Sequence, residues 1–591
     1  MSKPLVSKLG AGGENTAKIY RWRFYGVVGL LLLLAIALVW HLIKLQVLPD
    51  TYRGFEFLQN QGLARTLRTE SIPAYRGVVT DRYGEPLAIS TPVVSLWANP
   101  KELLAASEKW PLLAKELGLK PAKLVARLKR YRNKEFMYLR RQLAPALAKQ
   151  ILSLEIKGVY GKQEYQRFYP SGEVAAHLVG FTNVDDKGQE GLELAYDEWL
   201  TGTPGRKQVL KDLSGRVIKN VALLETAAPG KDIELSIDLR LQYLAYRELK
   251  AAVKAHSAKS GSMVLLDAKT GEVLAMVNQP SFNPNDRSDL NTSALRNRAI
   301  TDQFEPGSTM KPLTIMTALE TGRYSPKTII DTNPGYFKVG KKTLLDPVNY
   351  GRIDVTKIIT KSSQVGLTKI SLDLEASDIR DMFFRLGLGQ STGTGFPGES
   401  IGLLPNHARW QPIVQANFSF GYGLTLTALQ LAQAYSVIAD GGNKKPVSIV
   451  KLEGKPESES VVDEKVAAQV VSMLKTVVLP GGTAKRAHLD SYVVAGKTGT
   501  VHKVGKQGYA DNRYTSLFAG FAPADDPRVI AVVVVNEPSR GKYYGGEVAA
   551  PVFARVVERS LQLLQVPPTK SRVKQAQVPR QKRKNKVEPL T

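Results

Sequence analysis

Phe304-Glu305-Pro306-Gly307-Ser308-Thr309-Met310-Lys311-Pro312 is the stretch from which the rest of the chain is read. Pro306-Gly307 marks a turn. The apolar-rich run Leu313 to Leu319 follows and stops at Glu320-Thr321-Gly322. The pattern predicts a helix beginning at or near Ser308, with Gly322 as its stop. Pro312 then falls in the first turn, where a missing N–H is harmless. Ser308 and Lys311 are three apart and share one helix face. A hydroxyl beside an amine at a helix N-terminus suits a serine nucleophile with a lysine base. The helix-end field disfavours the ammonium form and keeps the amine able to take a proton.

Ser-x-x-Lys by itself is a chance pattern in a long chain. Two later stretches give it weight. Lys361-Ser362-Ser363-Gln364-Val365-Gly366 supplies a second serine and an amide. Val493-Val494-Ala495-Gly496-Lys497-Thr498-Gly499-Thr500 supplies Lys-Thr-Gly after an apolar, strand-like run. Three elements in this order are the set found in class A β-lactamases and penicillin-binding proteins.

A chain of 591 residues is long enough for two or more domains. Its 81 basic and 54 acidic side chains leave a net charge of +27, which suggests an anionic neighbour: nucleic acid, a membrane surface or an anionic polymer. Cysteine is absent, so disulfides, thiol nucleophiles and thiolate metal sites are excluded. The six histidines show no metal-ligand spacing, and neither a metal nor a cofactor is expected.

Residues 1–23 are polar and basic, and Phe24 to Ile43 is an uncharged apolar run. Twenty helical residues span about 30 Å, the thickness of the hydrocarbon core. The basic residues before it put the N-terminus in the cytoplasm. Ala35-Ile36-Ala37 fits a signal-peptide cleavage pattern, but the apolar run continues past it, which favours an uncleaved anchor.

Between Leu45 and about Ala228 the pattern is mixed. Arg76 to Gly84 reads as a strand and a turn, with Glu85 to Ser90 extended beyond it. Lys101 to Ile156 carries Leu, Ala and Lys at helical spacing, and its basic cluster Lys120 to Arg141 reads as a solvated helix face. Nothing in this part looks catalytic. Lys231 to Asp238 alternates as a strand, and Leu239 to Val253 is an amphipathic helix. Ser262–Leu266 and Glu272–Val277 flank the turn Asp267–Gly271 as a hairpin. Helical stretches are expected around Val355–Lys369 and Ser377–Leu386, the latter capped by Ser377, and over Thr427–Ala439. Strands follow at Val494, Ser516–Phe521 and Val529–Val535. The order predicts an α+β fold with helices packed on an antiparallel sheet. After Val566-Pro567-Pro568 the basic, polar tail reads as disordered.

The chain resembles the class B penicillin-binding proteins, most closely the division-specific D,D-transpeptidases of the FtsI type. The likeness rests on Arg76-Gly77, Asp81-Arg82, Tyr169-Pro170-Ser171-Gly172, Gly180-Phe181-Thr182-Asn183 and Arg298 to Asp302. It rests as well on Glu305-Pro306-Gly307-Ser308-Thr309, Ser419-Phe420-Gly421-Tyr422-Gly423 and Lys542-Tyr543-Tyr544-Gly545-Gly546. The resemblance implies a single-pass anchor at 24–43, a non-catalytic pedestal of mixed α/β structure at 45–228, and a penicillin-binding/transpeptidase domain at 229–565. A disordered tail at 566–591 completes the division. It implies an inner-membrane protein with its catalytic domain in the periplasm.

The substrate it implies is the D-Ala-D-Ala end of a peptidoglycan stem peptide, borne on lipid-linked precursor or on glycan. β-Lactams act as mimics of that end, and no nucleic-acid partner is implied. The absence of a glycosyltransferase domain calls for a polymerase of the FtsW type and other division-machinery membrane proteins. Ser308, Lys311, Ser362 and Lys497 are the implied catalytic residues. Gln364, Thr498, Gly499 and Thr500 are the substrate-binding ones, and the N–H groups of Ser308 and Thr500 form the oxyanion hole. One position departs from the family, whose second motif carries Asn where this chain has Gln364. Gln has the same amide, displaced by one C–C bond of about 1.5 Å. A β-lactamase, a β-lactam sensor and a non-catalytic division scaffold are the competing readings.

Overall fold

The computed structural model describes residues 21–46, 57, 62, 67–211, 217–288, 291–505 and 508–569. The basic segment before Arg21 and the expected disordered tail from Lys570 lie outside the described residues. Arg21–Gln46 is one helix, longer at both ends than the expected 24–43. Its side chains face outward along its length, and its 24-residue span Arg21–Lys44 reaches about 36 Å. Among the described residues it is the one helix long and apolar enough to cross a membrane.

The chain divides into two compact units, Met1–Ile72 with Pro204–Ala227, and Pro73–Thr203 with Ala228–Thr591. In the first unit, Gly205–Lys211 is the middle strand of an antiparallel sheet between Leu67–Ile72 and Val217–Glu225. The expected pedestal therefore contributes to both units.

In the second unit, Pro86–Ala98 pairs antiparallel with both Met137–Leu143 and Val159–Phe168. Leu96, Ala98, Leu139, Leu143 and Val159 are buried with Leu124, Leu128 and Ile151 of the helices Pro121–Arg130 and Pro145–Leu152. The segment 101–156 is thus not helical throughout. Met137–Leu143 is a strand because Met137, Leu139 and Leu143 join that core while Arg140 is left exposed. The basic cluster is split accordingly. Arg127 donates to the carbonyls of Tyr138 and Leu139, and Arg141 pairs with Glu164 and Asp185.

Beside this sheet lies a buried charge cluster. Arg76 and Arg167 each meet a different carboxylate oxygen of Glu193 at 2.6 Å, and all three side chains are essentially inaccessible. The strand expected over Lys231–Asp238 shrinks to Ile233–Glu234, parallel to Val79–Thr80. Leu235 only bridges to Val450.

The remainder is built on five strands: β1 (Ser260–Asp267), β2 (Val273–Gln279), β3 (Ala495–Gly505), β4 (Gly508–Ala522) and β5 (Val529–Asn536). Their order is β2-β1-β5-β4-β3, antiparallel at every step, with β3 at one edge. Every residue of β1 and β2 is buried, so these strands read in sequence as continuous apolar runs rather than alternations. Helices Leu239–Ala255, Ala428–Ala439 and Ala550–Leu563 pack against the sheet. The fold is α+β, as expected.

Candidate active site

Gly307–Met310 is a tight 3-10 turn that leads into α1 (Lys311–Glu320), with Pro312 in its first turn. The α-helix proper therefore starts at Lys311 and not at Ser308. The Lys311 N–H closes the 3-10 turn on the Ser308 carbonyl, an i to i+3 relation that puts the two residues on one face. The turn is pressed from two sides. A Cβ on Gly307 would stand 2.4 Å from Val501 Cγ2 of β3. Gly421, at φ +89°, brings the other wall so close that a Cβ there would lie 2.3 Å from the Gly307 carbonyl oxygen. The Tyr435 hydroxyl donates to the Thr309 carbonyl (2.9 Å) and Thr314 Oγ1 to the Ser419 carbonyl (2.6 Å). The Ser419–Gly423 motif is thus a brace for the Ser308 turn.

The single helix expected over Val355–Lys369 is two helices, α2 (Val355–Lys361) and α3 (Gln364–Leu372). The break is Ser362, held at φ +60°, ψ 37°, where a non-glycine residue sits at a cost of about 1–3 kcal/mol. Ser363 follows as N-cap of α3, its Oγ accepting from Gly366 N–H at 2.9 Å. The break turns the Ser362 carbonyl and hydroxyl toward two lysines. Lys311 Nζ donates to the carbonyls of Ser362 (2.6 Å) and Ser363 (3.2 Å), and Lys497 Nζ donates to Ser362 Oγ (3.0 Å). Farther on, Ala376–Arg385 is the next helix, with Glu375 and not Ser377 at its N-cap position.

Both lysines are completely buried. Burial pulls the Lys311 amine down to about 7, against the opposing pull of the Asp346 carboxylate. Burial, and then the charge of Lys311, holds Lys497 well below the ordinary lysine value. The repulsion between the two amines is thus expressed at Lys497, whereas burial alone accounts for the lowering at Lys311. A neutral Lys311 amine is a competent proton acceptor near neutrality.

Lys497, Thr498, Gly499 and Thr500 lie on the edge strand β3. Gly499 keeps that edge close to the turn, since a Cβ there would stand 3.0 Å from the Pro306 carbonyl oxygen. Thr500 Oγ1 accepts from Gly545 N–H at 2.9 Å, which leaves its own proton free to donate. Thr498 Oγ1 shares a 2.9 Å hydrogen bond with Thr483 Oγ1. Gln364 is the first residue of α3, half-buried, and its side-chain amide has no partner among the described residues. A cavity of about 280 Å³ adjoins the turn, lined in part by Phe304, Glu305, Val501 and Lys503.

The predicted residues of α1, the α2–α3 break and β3 are therefore joined by hydrogen bonds around Ser362, with Ser308 one 3-10 turn ahead of Lys311. Sequence reading missed Asp346, whose carboxylate accepts from Ser363 Oγ (2.5 Å) and from the N–H groups of Gln364 (2.6 Å) and Val365 (3.3 Å). Nothing local in the sequence around Asp346 marked it out.

A family model described as the penicillin binding protein transpeptidase domain matches residues 261–558, and one described as the penicillin-binding protein dimerisation domain matches 71–235. The chain belongs to the penicillin-binding proteins. It is 43% identical over 561 residues to the peptidoglycan D,D-transpeptidase FtsI of Escherichia coli K12, covering 94% of each chain. It is 41% identical over 547 residues to the probable peptidoglycan D,D-transpeptidase PbpC of Pseudomonas aeruginosa, covering 93% of this chain and 96% of that one. Within the family it falls with the FtsI-type D,D-transpeptidases. Among solved structures it is similar to penicillin-binding protein 3 of Mycobacterium tuberculosis complexed with aztreonam. That match has 28% identity and a TM-score of 0.66, over 85% of this chain and 98% of the other. The transpeptidase domain of Burkholderia pseudomallei penicillin-binding protein 3 aligns at 40% identity, with a TM-score of 0.53, over 57% of this chain and 98% of its own.

Proposed function

We propose that this chain cross-links peptidoglycan stem peptides at the division septum, by two acyl transfers through Ser308. Ser308 Oγ attacks the carbonyl carbon between the two terminal D-alanines, and its proton passes to the neutral Lys311 amine. The oxyanion is received by the N–H groups of Ser308 and Thr500. The C–N bond breaks as Ser362 relays a proton to the leaving amine, and the last D-alanine departs. The amine of a neighbouring stem then attacks the ester carbonyl. Its excess proton returns to Ser308 Oγ by way of Lys311 as the ester C–O bond breaks. Lys497 stabilises negative charge through its bond to Ser362 Oγ. With the hydroxyls of Thr498 and Thr500, Lys497 holds the terminal carboxylate. Gly499 keeps the β3 edge near the nucleophile, and the Gln364 amide orients the substrate backbone.

The observation that supports this reading is two buried lysines sharing one serine next to the nucleophile turn. The test is labelling of membranes with a fluorescent penicillin. Wild-type protein should be labelled covalently and Ser308→Ala should not; persistent labelling of the variant would sink the assignment. Product analysis on stem-peptide substrate should then give cross-links in excess of hydrolysis.

The proposal extends to the layout. Residues 24–43 anchor the chain in the inner membrane with the basic N-terminus cytoplasmic. Residues 45–228 act as a non-catalytic pedestal, and 229–565 form the periplasmic transpeptidase domain. A membrane polymerase of the FtsW type supplies the glycan strands, with anchor and pedestal as contact surfaces. Depletion should give filaments; spherical cells would assign the protein to elongation instead.

A further inference from the structure

The reaction, as read above, turns on the Ser362–Ser363 break, and one buried carboxylate holds that break in place. Asp346 sits directly after the hairpin Tyr336–Val339/Lys342–Leu345, with its own N–H donated to the Gly335 carbonyl (3.0 Å). Its two carboxylate oxygens divide the work. Oδ2 takes the Ser363 hydroxyl at 2.5 Å, and Oδ1 takes the N–H of Gln364 at 2.6 Å and of Val365 at 3.3 Å. These are the first backbone donors of α3, which a helix leaves without an internal partner. The same Ser363 offers its carbonyl to Lys311 Nζ. A single residue thus links the carboxylate to the amine proposed as base.

We propose that Asp346 is a positioning residue for acylation. It fixes the left-handed Ser362–Ser363 turn that gives Lys311 and Lys497 a common partner, and its negative charge acts on Lys311. The inference rests on the assignment of Ser308, Lys311 and Ser362 above.

The surroundings of Lys311 bear this out. Lys497 comes from β3, and the carbonyls of Ser362 and Ser363 from the α2–α3 turn. The Phe420 ring, its centroid 5.9 Å from Nζ, comes from the brace, and Asp346 from the hairpin. Among the charges bearing on the lysine pair, Asp346 is the one that favours a proton on Lys311. It keeps that amine from becoming too weak a base under burial.

The two roles separate by substitution. Asp346→Asn removes the charge but keeps the three contacts, with Oδ1 accepting from the N–H groups of Gln364 and Val365 and Nδ2 donating to Ser363 Oγ. Asp346→Ala removes both. The measurement is the second-order rate of acylation by a fluorescent penicillin, on the full chain in detergent, across the pH range around neutrality. The labelled peptide is mapped to Ser308, and thermal unfolding is run alongside.

Asp346→Asn should keep its thermal midpoint and move the acid limb of the profile to lower pH by about one unit. Asp346→Ala should lower the plateau about tenfold or more, the scale of one buried hydrogen bond left unmade. Ser363→Ala, which cuts the bond to Oδ2 but leaves the charge, should lower the plateau without moving the limb. It decides the matter if the Asp346 variants do not fold. An Asp346→Asn limb that superimposes on wild type, or a Ser363→Ala plateau at the wild-type level, overturns the proposal. Failure of the wild type itself to label at Ser308 would instead overturn the underlying assignment.

Discussion

Replacing Lys311 by Met tests the reasoning at its most physical point. A fully buried amine drawn from 10.5 down to about 7 carries a penalty in the folded state. At about 1.36 kcal/mol per pH unit that penalty is roughly 4–5 kcal/mol. It is felt in full below about pH 7, where the lysine is protonated in the folded and the unfolded chain alike. Between there and the unfolded value the unfolded chain holds one proton more. Wild-type stability should therefore rise through this window by about 1.4 kcal/mol per pH unit from Lys311 alone, and the penalty vanishes near the unfolded value. Met carries no such penalty. It does strip the Ser362 and Ser363 carbonyls of a donor, at about 1–3 kcal/mol each, but that loss does not depend on pH. Removing the Lys311 charge also relieves part of the lowering of Lys497, which flattens the variant's pH dependence further and works in the same direction. Equilibrium urea unfolding of wild type and Lys311→Met at a series of pH values should show the variant's relative stability falling by about 4 kcal/mol from neutrality to about pH 10. Parallel stability curves would refute the claim that this amine is neutral by burial. The same variant should lose penicillin acylation.

The acylation rate of wild type should fall about tenfold per pH unit below about 7 as Lys311 takes up a proton, measured with a fluorescent penicillin. Gln364→Asn withdraws the amide by about 1.5 Å from a helix whose start is pinned by Ser363 and Asp346. It should slow β-lactam acylation by about three- to tenfold, and identical rates would make the Gln neutral. Glu193→Gln leaves Arg76 and Arg167 buried without their shared carboxylate. The variant should lose about 3–5 kcal/mol in denaturant unfolding, while the acylation rate of the folded fraction stays at the wild-type level.

Much of this architecture was legible along the chain because the signals were local. Asp267–Gly271 between two apolar runs became the β1–β2 hairpin, and the 20-residue apolar run became part of the long N-terminal helix. Thr427 proved to be an N-cap with Gln430 closing a capping box. The errors arose where a distant partner overrides local preference. Lys361-Ser362-Ser363 sits inside a helical pattern, and only Asp346 together with the two lysines explains why the helix stops there. Met137–Leu143 looked helical by composition, yet pairing with Pro86–Ala98 made it a strand. Ser377 looked like a cap, but the helix begins one residue earlier, at Ala376. The lysine pair was found by motif, whereas its neutrality depends on depth, which no spacing records.

The two oxygens of Asp346 are already spoken for, by a hydroxyl and two amides. Ester hydrolysis in related serine enzymes leans on a carboxylate at liberty to enlist water. This one has no such liberty, so an antibiotic once attached should stay attached. Recovery after exposure would then be governed by how quickly new copies are made, and cells that regained unlabelled protein with synthesis blocked would contradict this.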